Sequence, residues 1–312
     1  MKKLKLFFLK LIAVFVLLSL LLYACHSPLS NQLEASPDSS LVELNPEILI
    51  KKLPKIVNET SGLMVYDGLI WTINDSGGRN VVYGMNPVSG EVEREVQIKN
   101  AKNRDWEAMA IDGEYVYIAD VGNNHGTRVD LGVYKVPVSS FNAVFSEVDA
   151  EKIYFAWPEQ KYFIKSTHNN PWDCEAMLVF EDSLVLFTKD WIKGITRMYV
   201  ISKEPGKQMA RYHSSFDAGM LVTGADLSPD HKTLVMSAYF AYDPYLLVFY
   251  DFKGKDFFKG SYRKIEYPVY HDAQTEGVCF MGKDSILVSA ERSNTLNQRI
   301  YLFSLQEILE YK

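Results

Sequence analysis

Carboxylates recur beside a small residue in this chain, and that pairing is the first sign of chemistry. Five related phrases carry the small residue, and four of them set an acid beside it: Glu59-Thr-Ser-Gly-Leu-Met-Val65, Asp105-Trp-Glu-Ala-Met-Ala-Ile111, Asp173-Cys-Glu-Ala-Met-Leu-Val179, Val222-Thr-Gly-Ala-Asp-Leu-Ser228 and Gln274-Thr-Glu-Gly-Val-Cys-Phe280. The residue before the small position is Ser61, Glu107, Glu175, Gly224 or Glu276, and in the fourth phrase the acid moves to Asp226. Further polar ends follow four of the phrases: Asn74-Asp75, Asp120, Lys189-Asp190 and Glu291-Arg292. Carboxylates brought close together raise one another's pKa or require a cation. Hard oxygen donors from several segments suit Ca²⁺, and paired carboxylates suit general acid–base work such as glycoside hydrolysis. On this reading Glu107, Glu175, Glu276, Lys189 and Arg292 are candidate catalytic residues. Asp75, Asp105, Asp120, Asp226 and Glu291 are candidate calcium ligands.

Each of these acids has a plainer reading as a brace that accepts hydrogen bonds from neighbouring backbone. Asp75-Ser-Gly-Gly78 and Asp120-Val-Gly-Asn-Asn124 read either as loops around a cation or as Asx turns. His125 is either a base or a solvated loop residue. Trp71, Trp106, Trp172 and Trp191 either stack on a ring or pack in the interior.

The small residues fall at Gly62, Ala108, Ala176, Ala225 and Gly277, in steps of 46, 68, 49 and 52. A strand needs a small residue where backbones crowd together. After each phrase come a turn and a second apolar run, at 69–73, 115–119, 184–188, 233–238 and 286–290. A third run with an aromatic or β-branched centre follows. A more polar fourth run closes four of the units, at 91–98, 152–157, 208–216 and 262–268. Four strands at a period near fifty describe propeller blades. The expected fold is all-β: a single β-propeller over residues 41–312, with five blades. The long second step leaves six open, because residues 158–172 are either a loop or part of an extra blade. The fifth unit lacks its outer strand, and the segment 42–56 can supply it and close the ring.

The chain has 312 residues, 47% apolar and 23% charged, which excludes a disordered tail, a collagen and a disulfide-stapled miniprotein. Its net charge is −6 with both signs interspersed, so no nucleic-acid surface is expected. Cys174 and Cys279 sit in apolar runs and are expected to be buried thiols rather than a disulfide.

The N-terminus reads as an address. Lys2, Lys3, Lys5 and Lys10 precede an apolar stretch at 11–22, and Ala24-Cys25 follows. A short apolar core with a small residue at its end describes a secretory signal over residues 1–24; an uncleaved membrane anchor is the other reading. Leu22-Tyr-Ala-Cys25 resembles the lipobox of bacterial lipoproteins, which implies lipidation of Cys25 and attachment to a membrane. His26, in place of Asp, resembles an outer-membrane destination in the cell envelope, facing the periplasm. Residues 25–40 then form a Ser/Pro-rich tether. Without residues 1–24, which carry four lysines and no acid, the net charge becomes −10.

As a set the phrases resemble a family of bacterial propellers known as phytase-like, or "esterase-like activity of phytase". The matching residues are Ser61-Gly62-Leu63, Trp71, Asn74–Gly77, Asp105-Trp106-Glu107, Tyr117–Asn124, Glu175–Met177 with Thr188-Lys189, Thr223–Asp230, and Glu276–Val278 with Ser289–Glu291. The resemblance covers about residues 58–305. It implies phosphate-ester or ester hydrolysis assisted by calcium, with Lys189 and Arg292 gripping phosphate. The chain carries no Gly-x-Ser-x-Gly elbow, His-Glu-x-x-His or P-loop. The expected function is a calcium-assisted hydrolase at the cell envelope; the alternative is a non-catalytic propeller that binds a protein or glycan partner.

Overall fold

The computed structural model describes residues 41–311. The expected signal sequence, the lipidation site Cys25 and the tether lie outside the described residues. Two short strands come first, β1 (Leu41–Glu43) and β2 (Glu47–Ile50). Blade one is β3 (Thr60–Tyr66), β4 (Leu69–Asn74), β5 (Val81–Met85) and β6 (Val92–Ile98). Blade two is β7 (Trp106–Ile111), β8 (Tyr115–Asp120), β9 (Gly132–Pro137) and β11 (Glu151–Ala156), with β10 (Phe145–Val148) inserted before the last. Blade three is β12 (Asp173–Phe180), β13 (Ser183–Lys189), β14 (Ile195–Ser202) and β16 (Arg211–Asp217), with β15 (Gly206–Met209) inserted likewise. Blade four is β17 (Leu221–Leu227), β18 (Leu234–Phe240), β19 (Asp243–Tyr250) and β20 (Ser261–Glu266). Blade five is β21 (Thr275–Met281), β22 (Ser285–Ala290), β23 (Arg299–Ser304) and the N-terminal β2, followed by the short helix α1 (Leu305–Glu310).

The protein is therefore a five-bladed β-propeller, and residues 158–172 are a loop rather than an extra blade. β2 runs antiparallel to β23, with Ile48 opposite Tyr301, so the two ends of the chain close the ring. The inner strands β3, β7, β12, β17 and β21 each neighbour the next, and β21 returns to β3.

Inner strands read as continuous apolar runs because both faces are covered by adjacent blades. All of β4 is buried, whereas β11 alternates between exposed and buried positions. The core lies between blades. Trp71, Ile73 and Val82 of blade one, for example, pack with Trp106, Met109 and Tyr134 of blade two.

One arrangement differs from the sequence reading. The run 208–216 is divided: β15 leaves blade three and pairs in parallel with β11 of blade two. In the same way β10 adds to β6, and β1 adds to β20. The segment 42–56 is thus shared between blades four and five. In each case the stretch ahead of one blade's outer strand covers the open edge of the blade before it, which hides unpaired backbone groups.

The small residues of the phrases sit where backbones nearly touch. A Cβ on Gly277 would lie 2.2 Å from the Ser61 carbonyl oxygen, and one on Gly62 would lie 2.5 Å from the Met109 nitrogen. Neither contact can be relieved by turning a side chain. Gly277→Ala is expected to cost about 1–3 kcal/mol or more, read as a lower urea midpoint. An unchanged midpoint would contradict the close approach of blades five and one.

Candidate functional site

Every inner strand slips in register at its phrase. The breaks fall between Thr60 and Leu63, Trp106 and Ala108, Cys174 and Ala176, Val222 and Gly224, and Thr275 and Val278. A bulge leaves a residue outside the ladder and re-aims its side chain. The residues freed in this way include Glu107, Glu175 and Glu276. All three line one cavity of about 480 Å³ at the axis, together with Asp75, Lys189 and Tyr239.

Asp75, Asp105 and Glu107 offer carboxylate oxygens that all lie within 4.8 Å of one another. Glu107 is 3% exposed. Among the described residues, no donor reaches the carboxylate of Asp105 or Glu107. The space between them exists because residue 122 is glycine. A Cβ there would lie 2.3 Å from Glu107 Oε1 and 2.5 Å from Asp105 Oδ2. Three hard oxygen donors, with no imidazole or thiolate among them, suit calcium rather than a transition metal.

The opposite wall carries a cation. Lys189 Nζ lies 2.7 and 2.6 Å from the two oxygens of Glu175. It also sits 4.5 Å above the Trp191 ring and 5.0 Å from that of Tyr239. Burial pulls the lysine down, but Glu175, Tyr239 and Glu276 outweigh it and hold the ammonium well above the ordinary lysine value. On blade five, Gln274 Nε2 bridges Glu276 Oε1 at 3.1 Å and Glu291 Oε2 at 2.8 Å.

Several neighbouring groups are braces. Asp173 accepts hydrogen bonds from the Asn123 amide at 2.6 Å, from its neighbour Cys174 and from Trp191 Nε1 at 2.7 Å. Asp120 is buried against Arg128 Nη2 at 2.9 Å and accepts from the Asp105 amide. These contacts explain the Asp120-Val-Gly-Asn-Asn124 run: Asp120 anchors the loop, Gly122 makes room, and Asn123 joins blade two to blade three.

Some sequence candidates do not join the cluster. Asp226 lies at the other end of the axis, in a second cavity of about 620 Å³, and accepts the Phe280 amide at 2.8 Å. One residue beyond the small-residue position and past the register break, it is carried along the strand away from the funnel. Asp120 is occupied by Arg128. Arg292 is exposed and does not line the cavity. His125 is exposed and contacts Thr167. Trp71 and Trp106 are fully buried in the core, and Trp191 lines the funnel. Cys174 and Cys279 are buried free thiols. Sequence reasoning missed Tyr239, Tyr242, Gln274, His168 and Arg128. Two had a signal: Tyr239 lies one residue from the end of the second strand of blade four, near where Lys189 ends that of blade three, and Gln274 opens the fifth phrase as Asp105 and Asp173 open theirs.

The acids crowd one another. Burial, then Asp75 and Asp173, pushes Asp105 up to about 7. Burial pushes Glu276 up to about 8 against the pull of Lys189. Burial, then Asp75 and Glu59, pushes Glu291 up to about 8. A folded-state pKa above the unfolded value stabilises at low pH, and that stability is lost as pH rises through the folded value. The metal-free protein should therefore melt at lower temperature as pH rises from 5 to 9. Glu291→Gln should flatten that slope; an unaltered slope would show that the crowding is absent.

The glycine is open to a separate test. Gly122→Ala should push the carboxyl groups of Asp105 and Glu107 out of their present places, and should remove any rise in melting temperature that an added divalent cation gives the wild type.

No protein-family model matches the chain, and no curated protein matches it. Among solved structures, the chain is similar to the β-propeller domain of Cps50 (Swd1) from Myceliophteria thermophila. The two share 10% identity with a TM-score of 0.43, over 83% of this chain and 99% of that one. It is also similar to the PQQ-bound aldose sugar dehydrogenase of Streptomyces coelicolor, at 10% identity and a TM-score of 0.46, over 86% of this chain and 99% of the other. At these values the likeness carries no functional argument, and function has to be read from the funnel itself.

Proposed function

We propose that the axial funnel is a calcium-assisted hydrolytic site for a small anionic ester. The observation that carries this reading is the buried, donor-free Glu107, which meets Asp75 and Asp105 and, with Asp75, lines the cavity that also holds Lys189. Calcium bound there would polarise the ester oxygen and orient water. Lys189, fixed by Glu175, neutralises an anionic oxygen on the substrate. Glu276 carries its proton at neutral pH and can donate it to the leaving group. Trp191 and Tyr239 wall the site against solvent. The chain carries a net charge of −6, and −10 once residues 1–24 are removed, so it repels polyanions at long range, and a substrate with a single phosphate or carboxylate fits better than an inositol polyphosphate. The same reading places the propeller on the outer membrane through lipidated Cys25, facing the periplasm; mass spectrometry of the mature N-terminus tests that part.

Calcium titration monitored by thermal melting comes first. A cation that binds only the folded ring raises the melting temperature by mass action. A panel of phosphate esters, carboxyl esters and glycosides follows, with Glu107→Gln and Glu175→Gln as controls. No shift with Ca²⁺, Mg²⁺ or Mn²⁺ would remove the cation site. A shift without turnover would favour a non-catalytic propeller, with His168, Trp191 and Tyr242 at the mouth holding a glycan or protein partner.

A further inference from the structure

The far end of the axis is a second chamber, and the same five inner strands build it. Each contributes an apolar residue: Met64 of β3, Met109 of β7, Val179 of β12, Leu227 of β17 and Phe280 of β21. All five lie beyond the register breaks, where the ladders run regularly again. The strands that bring Glu107, Glu175 and Glu276 to the funnel thus bring hydrocarbon to the opposite mouth. At about 620 Å³ the chamber has the volume of a small-molecule site.

Asp226 stands among these walls, between buried Ala225 and buried Leu227. It accepts the Phe280 amide at 2.8 Å and the Leu227 amide. A carboxylate offers about four lone-pair sites, so about two stay open. No cation pairs with it among the described residues. Lys203, which also lines the chamber, is held instead by Asp112 at 2.9 Å. Burial with no opposing cation pushes the Asp226 carboxyl up to about 6.

The charges of the whole lining point the same way. Asp112 and Glu114 from the turn after β7, and Glu181 and Asp182 from the turn after β12, join Asp226 on the acidic side. Lys203 and His231 are the bases of the lining. Even with His231 counted as charged, acids outnumber bases. Lys232 and Lys283 line a separate groove, and Lys255 lies over the Phe180 ring at 5.6 Å; none of the three lines the chamber. Hydrocarbon walls, a carboxylate short of a partner and an acidic rim are complementary to an apolar body that carries an ammonium group.

We propose that the far chamber binds a primary amine on an apolar body, with Asp226 receiving the ammonium and the walls at Met64, Met109 and Phe280 receiving the body. The inference is independent of the funnel and of its cation.

Methyl NMR on the full chain tests it, with carbon-13 in the methionine methyl groups. Met64→Leu and Met109→Leu assign the two reporters in the chamber. Three probes of similar shape are titrated at pH 8, above the Asp226 value: phenethylamine, phenethyl alcohol and phenylacetate. Phenethylamine should shift both methyl signals and bind about tenfold or more tighter than the alcohol, while phenylacetate leaves both signals in place. Asp226→Asn keeps an acceptor for the Phe280 amide and removes the charge, so it should bring the amine down to the affinity of the alcohol. Its melting temperature checks that it folds; if it does not, the ranking of the three probes on the wild type decides. An alcohol that binds as tightly as the amine overturns the proposal, as does a preference for the amine that survives in Asp226→Asn. Methyl signals that no probe moves overturn it as well. So does an amine that shifts the Trp191 indole signal and leaves the two methyl signals still, since that amine sits in the funnel.

Discussion

Glu107→Gln is expected to abolish the calcium-dependent rise in melting temperature and to lower kcat/KM by about 100-fold or more. Glu107 sits in the bulge of β7, 3% exposed, with no donor to satisfy it and Gly122 holding open the space before it. Its amide isostere keeps the shape and removes one of three negative ligands. At a calcium concentration about a hundredfold above Kd, the cation stabilises the wild-type fold by about 2.7 kcal/mol, and the variant forfeits most of that. The cation-free protein should move the other way. A neutral amide does not share the burial and crowding that hold the Glu107 carboxyl far above its ordinary range, so Glu107→Gln in chelator should be at least as stable as wild type at pH 8. Lower stability in chelator together with retained calcium binding would make Glu107 a brace.

Lys189→Met carries the second large effect. It strands Glu175 in a buried site, and breaking such a pair from one side costs about 3–5 kcal/mol. Activity should fall to background because the anion loses its partner. Stability and function separate in the double variant. Lys189→Met with Glu175→Met replaces the whole pair by apolar volume, which is often neutral or stabilising. The double variant should regain much of the lost stability and remain inactive. A double variant that regains activity would show that the pair only props the blades.

Much of this architecture was legible because a propeller repeats its own grammar. The phrase with a small residue marked each inner strand, since Gly62 and Gly277 must meet a neighbour's backbone. The truncated fifth unit pointed to closure by the N-terminal segment, which β2 performs. The parallel edge strands β1, β10 and β15 were not legible. They are pairings of three or four residues between distant segments and leave no periodicity to read. The cluster was legible in part. Position within the phrase identified Glu107, Glu175 and Glu276, because the acid at the bulge turns towards the axis. The same reasoning failed for Asp226, which lies past the bulge and bonds Phe280 instead. It also overlooked Arg128, whose capture of Asp120 depends on a loop folding back from eight residues away.

The most direct test is an anomalous difference map from crystals grown with calcium and measured at long wavelength. The account predicts a peak among the carboxylates of Asp75, Asp105 and Glu107, coordinated by oxygen alone. A map with no peak in the funnel, or a cation bound only at the far mouth beside Asp226, would contradict it.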